Sequence, residues 1–261
     1  MSSSVNGAEV KVSEKQGSLV LTIDRPWAGN SISLPTAKGL REAMAASRTR
    51  TDLRGIVITG AGGKFFCTGG DLKAYRALRT PEELSETFGF IRDLLVEIEH
   101  HPLPVIAAID GYALGGGAEL ALACDLRIAS PAAKIGFPQA KLGLLPGWNG
   151  TERLVRAIGP SRATRLLLEA AALPAEEALA LGLVDIVTTG ADAADGSLDY
   201  LAGLTAAPLA IRAVKEAVRA SRPAVSTETT AEMFARLWFT EDHREAELAF
   251  VEKRKPVFTG K

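Results

Sequence analysis

Between Val105 and Arg127 the chain reads VIAAIDGYALGGGAELALACDLR, and this stretch restricts the fold more than any other. An apolar, strand-like run from Val105 to Ile109 meets a turn at Asp110-Gly111. A triple glycine follows at Gly115-Gly116-Gly117, and Ala118 to Cys124 is then apolar except for Glu119. Glycines just before a helix let backbone N–H groups approach a ligand with no Cβ in the way. The free N–H groups of a helix start also face whatever anion lodges there. Glu119 stands about one turn into the segment, among Ala, Leu and Cys. A carboxylate buried without a partner is costly, so a fold keeps one for a reason. The stretch therefore predicts an active site: a backbone oxyanion hole beside a single acid/base.

The rest of the chain bounds what such a site can serve. With 47% hydrophobic and 23% charged residues in 261, the composition is that of a globular protein long enough for a sizeable core. Thirty basic residues stand against 31 acidic ones, so no global field draws the chain to nucleic acid. Cys67 and Cys124 lie apart in apolar surroundings without a CxxC spacing, which predicts reduced thiols and a cytoplasmic setting. No apolar run approaches the ~18 residues of a membrane span. Residues 1–9 have neither the charged nor the hydrophobic region of a secretion signal and are expected to form a disordered leader.

Strands and helices alternate up to about residue 190. Ser18–Asp24 and Arg54–Thr59 are predicted strands, and Thr36–Ser47, with Ser33 as its cap, a helix. Asp71–Ala77 begins another helix. Pro81–Glu99 is a long amphipathic one, with Leu84, Phe88, Ile91, Leu95 and Ile98 at helical spacing. Leu126–Ala129 and Leu183–Val187 are short strands, Gly136–Gly150 a Pro/Gly-punctuated loop, and Thr151–Ala170 and Ala175–Leu181 helices. Leu198–Ala220 and Thr227–Lys253 are helical with no strand signal between them. The expectation is an α/β core over 10–195 and a helical C-terminal region over 196–261. Phe234, Leu237 and Trp238, at i, i+3 and i+4, form a stripe that needs a partner surface.

Two glycine-rich loops, Thr68-Gly69-Gly70-Asp71 and Gly115-Gly116-Gly117, each follow a strand and lead into a helix. From one sheet edge they could aim two N–H donors at one carbonyl oxygen, each worth about 3 kcal/mol to an enolate. A glycine cluster is more often just a tight turn; the lone Glu119 tips the reading toward function. Neither loop has P-loop or GxGxxG spacing, there is no GxSxG elbow, and His100, His101 and His243 offer no metal-ligand set.

Beyond these readings, IDRP, FFCTGGDLK, PVIAAIDGYALGGGAELALACDLRIA, LGLLPGWNGTERL and AFVEKRKPVF occur in this order. In these segments the chain, from about Val10 to Gly260, resembles the crotonase, or enoyl-CoA hydratase/isomerase, superfamily. The resemblance implies a spiral of ββα units with a helical C-terminal region, assembled as a trimer or dimer of trimers. It implies an acyl-CoA substrate whose enolate is held by two backbone N–H groups, here Gly70 and Gly116, and no cofactor beyond the coenzyme A of the substrate. Thr68, Asp71, Leu72 and Lys73 fall in the loop that meets CoA, with the Leu72 backbone at its adenine end. Phe234 and Lys253 fall where C-terminal residues hold the nucleotide, often from a neighbouring subunit. Lys253 reads equally well as a solvated helix lysine. Arg25 is a weaker candidate for a phosphate contact.

The chain departs from the family at its carboxylates. Family hydratases use two glutamates; Glu119 is the first, but the second position, in IGFPQAKLG, is Gln139. An amide orients water but transfers no proton at neutral pH. Asn149 replaces a more usual glycine beside the acyl pocket. Hydration by Glu119 with Gln139 positioning the water is the leading expectation. Decarboxylation of a malonyl-type thioester and isomerisation of an enoyl thioester are the alternatives. Outside catalysis stand an acyl-CoA-binding pseudoenzyme and an RNA-binding member, the latter disfavoured by the mixed charge pattern.

Overall fold

The computed structural model describes residues 9–221 and 227–260. The chain runs β1 (Val10–Lys15), β2 (Ser18–Ile23), α1 (Leu34–Ser47), β3 (Ile56–Gly60), β4 (Phe65–Cys67), α2 (Leu72–Tyr75) and α3 (Pro81–Glu99). It continues through β5 (Val105–Ile109), β6 (Tyr112–Leu114), α4 (Gly116–Ala123), β7 (Leu126–Ala129), β8 (Lys134–Gly136), α5 (Gly150–Ile158) and α6 (Pro160–Glu169). The remainder is β9 (Ala172–Pro174), α7 (Ala175–Leu181), β10 (Ile186–Val187), α8 (Ala193–Gly203), α9 (Pro208–Ala220), α10 (Thr227–Trp238) and α11 (Glu241–Glu252).

Two sheets share these strands. One has six, in the order β1-β2-β3-β5-β7-β10, and is parallel from β2 onward; the other has four, in the order β4-β6-β8-β9. Three successive turns, beginning at β3, β5 and β7, each lay one strand on the large sheet, the next (β4, β6, β8) on the small sheet, and then form a helix. Successive turns stack at the spacing of neighbouring strands, so loops in equivalent positions of successive turns become neighbours. This is the spiral of ββα units.

The large sheet is covered on both faces, which explains the unbroken apolar strands. Ile56, Ile58, Val105 and Ala107 face one core cluster; Val57, Ile106 and Ala108 face another, closed by Leu198 and Leu201 of α8. α3 forms as its spacing requires, with Leu84, Phe88, Ile91, Leu95 and Ile98 buried. Pro81 opens it, and Thr80 and Glu83 close a reciprocal capping box.

Several expectations need correction. β1, β4, β6, β8 and β9 were not foreseen. Thr151–Ala170 is two helices, divided where Gly159 takes a positive φ before Pro160. The helical run Leu198–Ala220 starts earlier, at Ala193, and breaks before Pro208, while Thr227–Lys253 breaks at Phe239-Thr240, where Thr240 caps α11. The last strand shrinks to Ile186–Val187, and the helix at Asp71–Ala77 to one turn. Residues 1–8 of the expected leader lie outside the described residues. Glu9 is held: it pairs with Arg25 at 3.1 Å and accepts hydrogen bonds from Ser33 and Thr36. The Phe234/Trp238 stripe finds its surface within this chain, on Phe88 of α3. No described helix is long and apolar enough to cross a membrane.

Candidate active site

The segments after β4, β6 and β8 are equivalent loops in three successive turns of the spiral, and they carry Gly70, Gly116 and Gln139. All three residues line one cavity of about 120 Å³. Apart from Thr68 and Glu119, the rest of its wall is apolar and aromatic, including Leu72, Tyr75, Phe88, Leu144, Trp148, Phe234 and Trp238.

Gly70 bridges Ile32 through its neighbours: the Ile32 N–H donates to Gly69 O at 2.7 Å and the Asp71 N–H to Ile32 O at 3.2 Å. The N–H of Gly70 is therefore turned away from Ile32, and the residue itself lines the cavity. Gly116 is the first residue of α4, where an N–H has no acceptor within the helix. Gly115 before it adopts φ 55°, ψ −121°, open to glycine but not to residues with a side chain. The loops abut: a Cβ on Gly69 would fall 3.0 Å from the Gly116 nitrogen.

Glu119 follows one turn later, 2% exposed. Its Oε2 accepts hydrogen bonds from the backbone N–H groups of Trp148 (2.7 Å) and Gly150 (2.9 Å), and its Oε1 from Gln139 Nε2 (3.1 Å). Burial pushes its carboxyl up to about 7, against the backbone donors and the charge of Arg153, which favour the ionised form. A carboxyl raised in this way from its ordinary range can both take and return a proton near neutral pH. Arg153 is itself buried, donating to Trp148 O at 2.6 Å and pairing with Glu99 at 2.7 Å. It ties the Trp148 loop to α3.

The structure brings Thr68, Gly70, Leu72, Gly116, Glu119, Gln139 and Phe234 to this cavity. Phe234 packs on Phe88 at 4.7 Å between ring centroids and forms part of the wall. Arg25 is committed elsewhere. Its guanidinium donates to Ser31 O and pairs with Asp71 (2.9 Å) and Glu9, leaving it spent inside the fold rather than free for a phosphate. Asp71 caps α2 through the N–H groups of Lys73 and Ala74. Burial alone would raise its carboxyl, but Arg25 and these amides outweigh it and hold it below the usual range. Lys73 is exposed, and Lys253 is an exposed left-handed residue ending α11, away from the cavity lining. Asn149 caps α5 behind the wall in the left-handed conformation; the lining is Trp148 beside it.

Sequence reasoning missed Tyr75, Trp148 and Arg153. Trp148 carried a signal, as an aromatic ring inside a Pro/Gly loop; Tyr75 and Arg153 lie in segments that read only as helical.

The enoyl-CoA hydratase/isomerase family model matches residues 13–261. This chain belongs to that family. It is 41% identical over 247 residues to an (E)-benzylidenesuccinyl-CoA hydratase of Thauera aromatica, covering 92% of this chain and 94% of the relative. It is 39% identical over 260 residues to an enoyl-CoA isomerase/hydratase of Mycosarcoma maydis (95% and 94% covered). Among solved structures, a carnitinyl-CoA hydratase from Mycobacterium avium superposes with a TM-score of 0.85 at 33% identity, over 97% of this chain and 99% of that one. The fold is the crotonase spiral, and the chain is an enzyme of the hydratase/isomerase family.

Proposed function

We propose that this enzyme hydrates a 2-enoyl-CoA thioester to the 3-hydroxyacyl-CoA. The N–H groups of Gly70 and Gly116 hold the thioester oxygen, and Glu119 is the acid/base. Glu119 as carboxylate takes a proton from water while the water oxygen bonds to C3. The electron pair of the double bond moves to the thioester oxygen, forming the enolate. The enolate then collapses to form the C2–H bond with the proton Glu119 returns. One water is added and the carboxylate is regenerated. No cofactor is required, because coenzyme A arrives with the substrate.

The observation that carries this reading is the pairing at 3.1 Å of Gln139 Nε2 with Glu119 Oε1, while Gln139 Oε1 is buried without a protein partner among the described residues. In this reading that oxygen accepts from the water that Glu119 activates. The relatives named above act on CoA thioesters, which supports acyl-CoA as the substrate class. α9 buries none of its residues, and Leu209, Val214 and Val218 are exposed along it; this supports assembly into a trimer or dimer of trimers.

The test is a panel of enoyl, 3-hydroxyacyl, malonyl-type and aryl thioesters followed by mass spectrometry. A gain of one water on the enoyl thioesters is the expected result; loss of carbon dioxide from the malonyl type would overturn it and establish decarboxylation instead. On the active thioester, Glu119→Gln lowers kcat by about 10²–10⁴-fold while acyl-CoA still binds. Wild-type turnover in that variant would refute the assignment. Gln139→Glu raises crotonyl-CoA hydration, since it supplies a second carboxyl; no gain would speak for a different native reaction.

A further inference from the structure

Tyr75 carries a polar group that the fold leaves unused. The residue is 7% exposed, and its hydroxyl oxygen is buried with no hydrogen-bond partner among the described residues. Native structures keep few such groups, because a buried hydroxyl that gives up water and gains nothing lowers stability. The ring cannot easily swing out to find water. It packs on Phe88 at 4.8 Å and on Trp238 at 6.3 Å between centroids. Burial, reinforced by the nearby Cys67, Asp71 and Glu119, raises the phenol far above its usual range. The hydroxyl thus stays protonated, as a donor.

Its position is informative. Tyr75 lines the catalytic cavity together with Gly70 and Gly116. A Cβ built on Gly70 would fall 2.1 Å from Tyr75 Cε2 and 2.5 Å from its hydroxyl oxygen. The phenol thus occupies the space where a side chain on residue 70 would be, against the backbone of a cavity-lining glycine. Gly70 is not among the positive-φ residues, so its backbone does not demand glycine. What glycine provides here is room for the phenol.

We propose that the Tyr75 hydroxyl is a third donor to the thioester oxygen, beside the N–H groups of Gly70 and Gly116, and is therefore a catalytic residue of this enzyme. The proposal rests on the enolate reading above and deepens it. The phenol keeps its proton throughout; its hydrogen bond strengthens as negative charge builds on the oxygen, which favours the enolate over the bound thioester. A third donor is also a physical answer to the missing second carboxylate. A better-stabilised enolate asks less of the single acid/base, Glu119.

The experiment uses butyryl-CoA labelled with ¹³C at the thioester carbonyl, a saturated ligand that the hydration reaction does not consume. Infrared difference spectra of the full chain report how strongly the bound carbonyl is polarised. The wild type lowers the carbonyl frequency relative to free butyryl-CoA, and Tyr75→Phe loses part of that lowering. On an enoyl-CoA, Tyr75→Phe has kcat lower by about 10²-fold, the usual scale for one oxyanion donor, with KM nearly unchanged. Its Tm equals or exceeds that of the wild type, because an unpartnered buried hydroxyl has been removed. Gly70→Ala keeps the N–H but displaces the phenol, and shows a similar partial loss of the lowering. Full wild-type lowering in Tyr75→Phe, or a reduced Tm with unchanged kcat, would overturn the proposal and leave Tyr75 a packing residue. No lowering in the wild type itself would refute the oxyanion hole, and the proposal with it, so the two failures are told apart by the wild-type spectrum.

Discussion

The two sheets of this spiral are built on different principles. The large sheet has central strands of four and five residues, β3, β5 and β7, whose side chains are buried on both faces. It is held by packed Ile, Val and Ala. The parallel strands of the small sheet, β4, β6 and β8, have three residues each. Their contribution is placement, for each delivers the next loop to the cavity: Gly70, Gly116 and Gln139. Where the large sheet is stabilised by side-chain volume, the small sheet and its loops depend on backbone running against backbone. Side-chain volume should therefore matter most for stability in the first, and the lack of a side chain most for activity in the second.

The most severe test of that contrast is Gly117→Ala. A Cβ at Gly117 would fall 1.9 Å from Cys67 O and 2.5 Å from its carbonyl carbon, so α4 rests directly on the end of β4. A methyl group there forces the helix away from the strand, which typically costs 1–3 kcal/mol. It also moves Gly116 and Glu119 together. A displacement near 1 Å costs about 10²-fold in rate. The expected outcome is a folded protein of lowered Tm whose kcat falls by about that factor. Wild-type kcat, with only Tm reduced, would show that the helix start tolerates movement and that backbone contact is not what places the site.

The same contrast decides how much was legible in the sequence. β3 and β5 could be read directly, because a strand covered on both faces is a largely continuous apolar run, and β7 as a short strand despite Arg127 within it. β4, β6 and β8 could not, because three residues leave no room for a period, and glycines flank them or lie just beyond. The spiral was therefore visible only through the family resemblance, while the alternation of strand and helix came from the residues themselves. At the site, Glu119 stood out as a charge in an apolar helix, and Gly70 and Gly116 as parts of glycine loops. Arg153 and Tyr75 were invisible because their roles depend on what the fold brings to them: the Trp148 carbonyl and Glu99 for one, the space above Gly70 for the other. Arg25, a weaker candidate for a phosphate contact, is spent on Glu9 and Asp71. A cation's availability cannot be read from its residue type.

Burial of Glu119 supplies a test on a second axis, pH. Its carboxyl is raised from 4.5 to about 7 in the fold, so between these values the native state holds a proton that the unfolded chain has released. Stability from this group is complete below about 4.5 and is lost as pH rises through about 7. At 1.36 kcal/mol per unit, the wild type should lose about 3 kcal/mol relative to Glu119→Gln between pH 4.5 and pH 8. Denaturant melts of both proteins across that range measure it. The activity runs oppositely: hydration begins with the carboxylate, so kcat/KM rises with pH to a plateau above about 7. A stability difference that does not change with pH would mean that the carboxyl titrates near its ordinary value, and that burial does not control it.

The smallest effects separate the sheets most cleanly. Ile58, on β3, and Ile135, on β8, are both buried, at 0% and 1% exposed. Trimming either to valine removes one methylene from a packed core and costs about 0.5–1.5 kcal/mol, so Tm should fall by similar amounts. The two differ in what lies downstream. Ile58 is paired with Leu21 and Ala107 inside the large sheet, and slight relaxation there is absorbed before it reaches any loop. Ile135 lies between Ala113 of β6 and Leu173 of β9, four residues before Gln139. Relaxation of β8 shifts Gln139 relative to Glu119, and the 3.1 Å hydrogen bond between them has little slack. Ile58→Val should therefore keep wild-type kcat, whereas Ile135→Val should lose several-fold at matched stability. Equal kcat in the two variants would mean that the small sheet transmits no more to the site than the large one does, and that Gln139 is positioned by its own short helical turn, Pro138–Leu142, rather than by the strand before it.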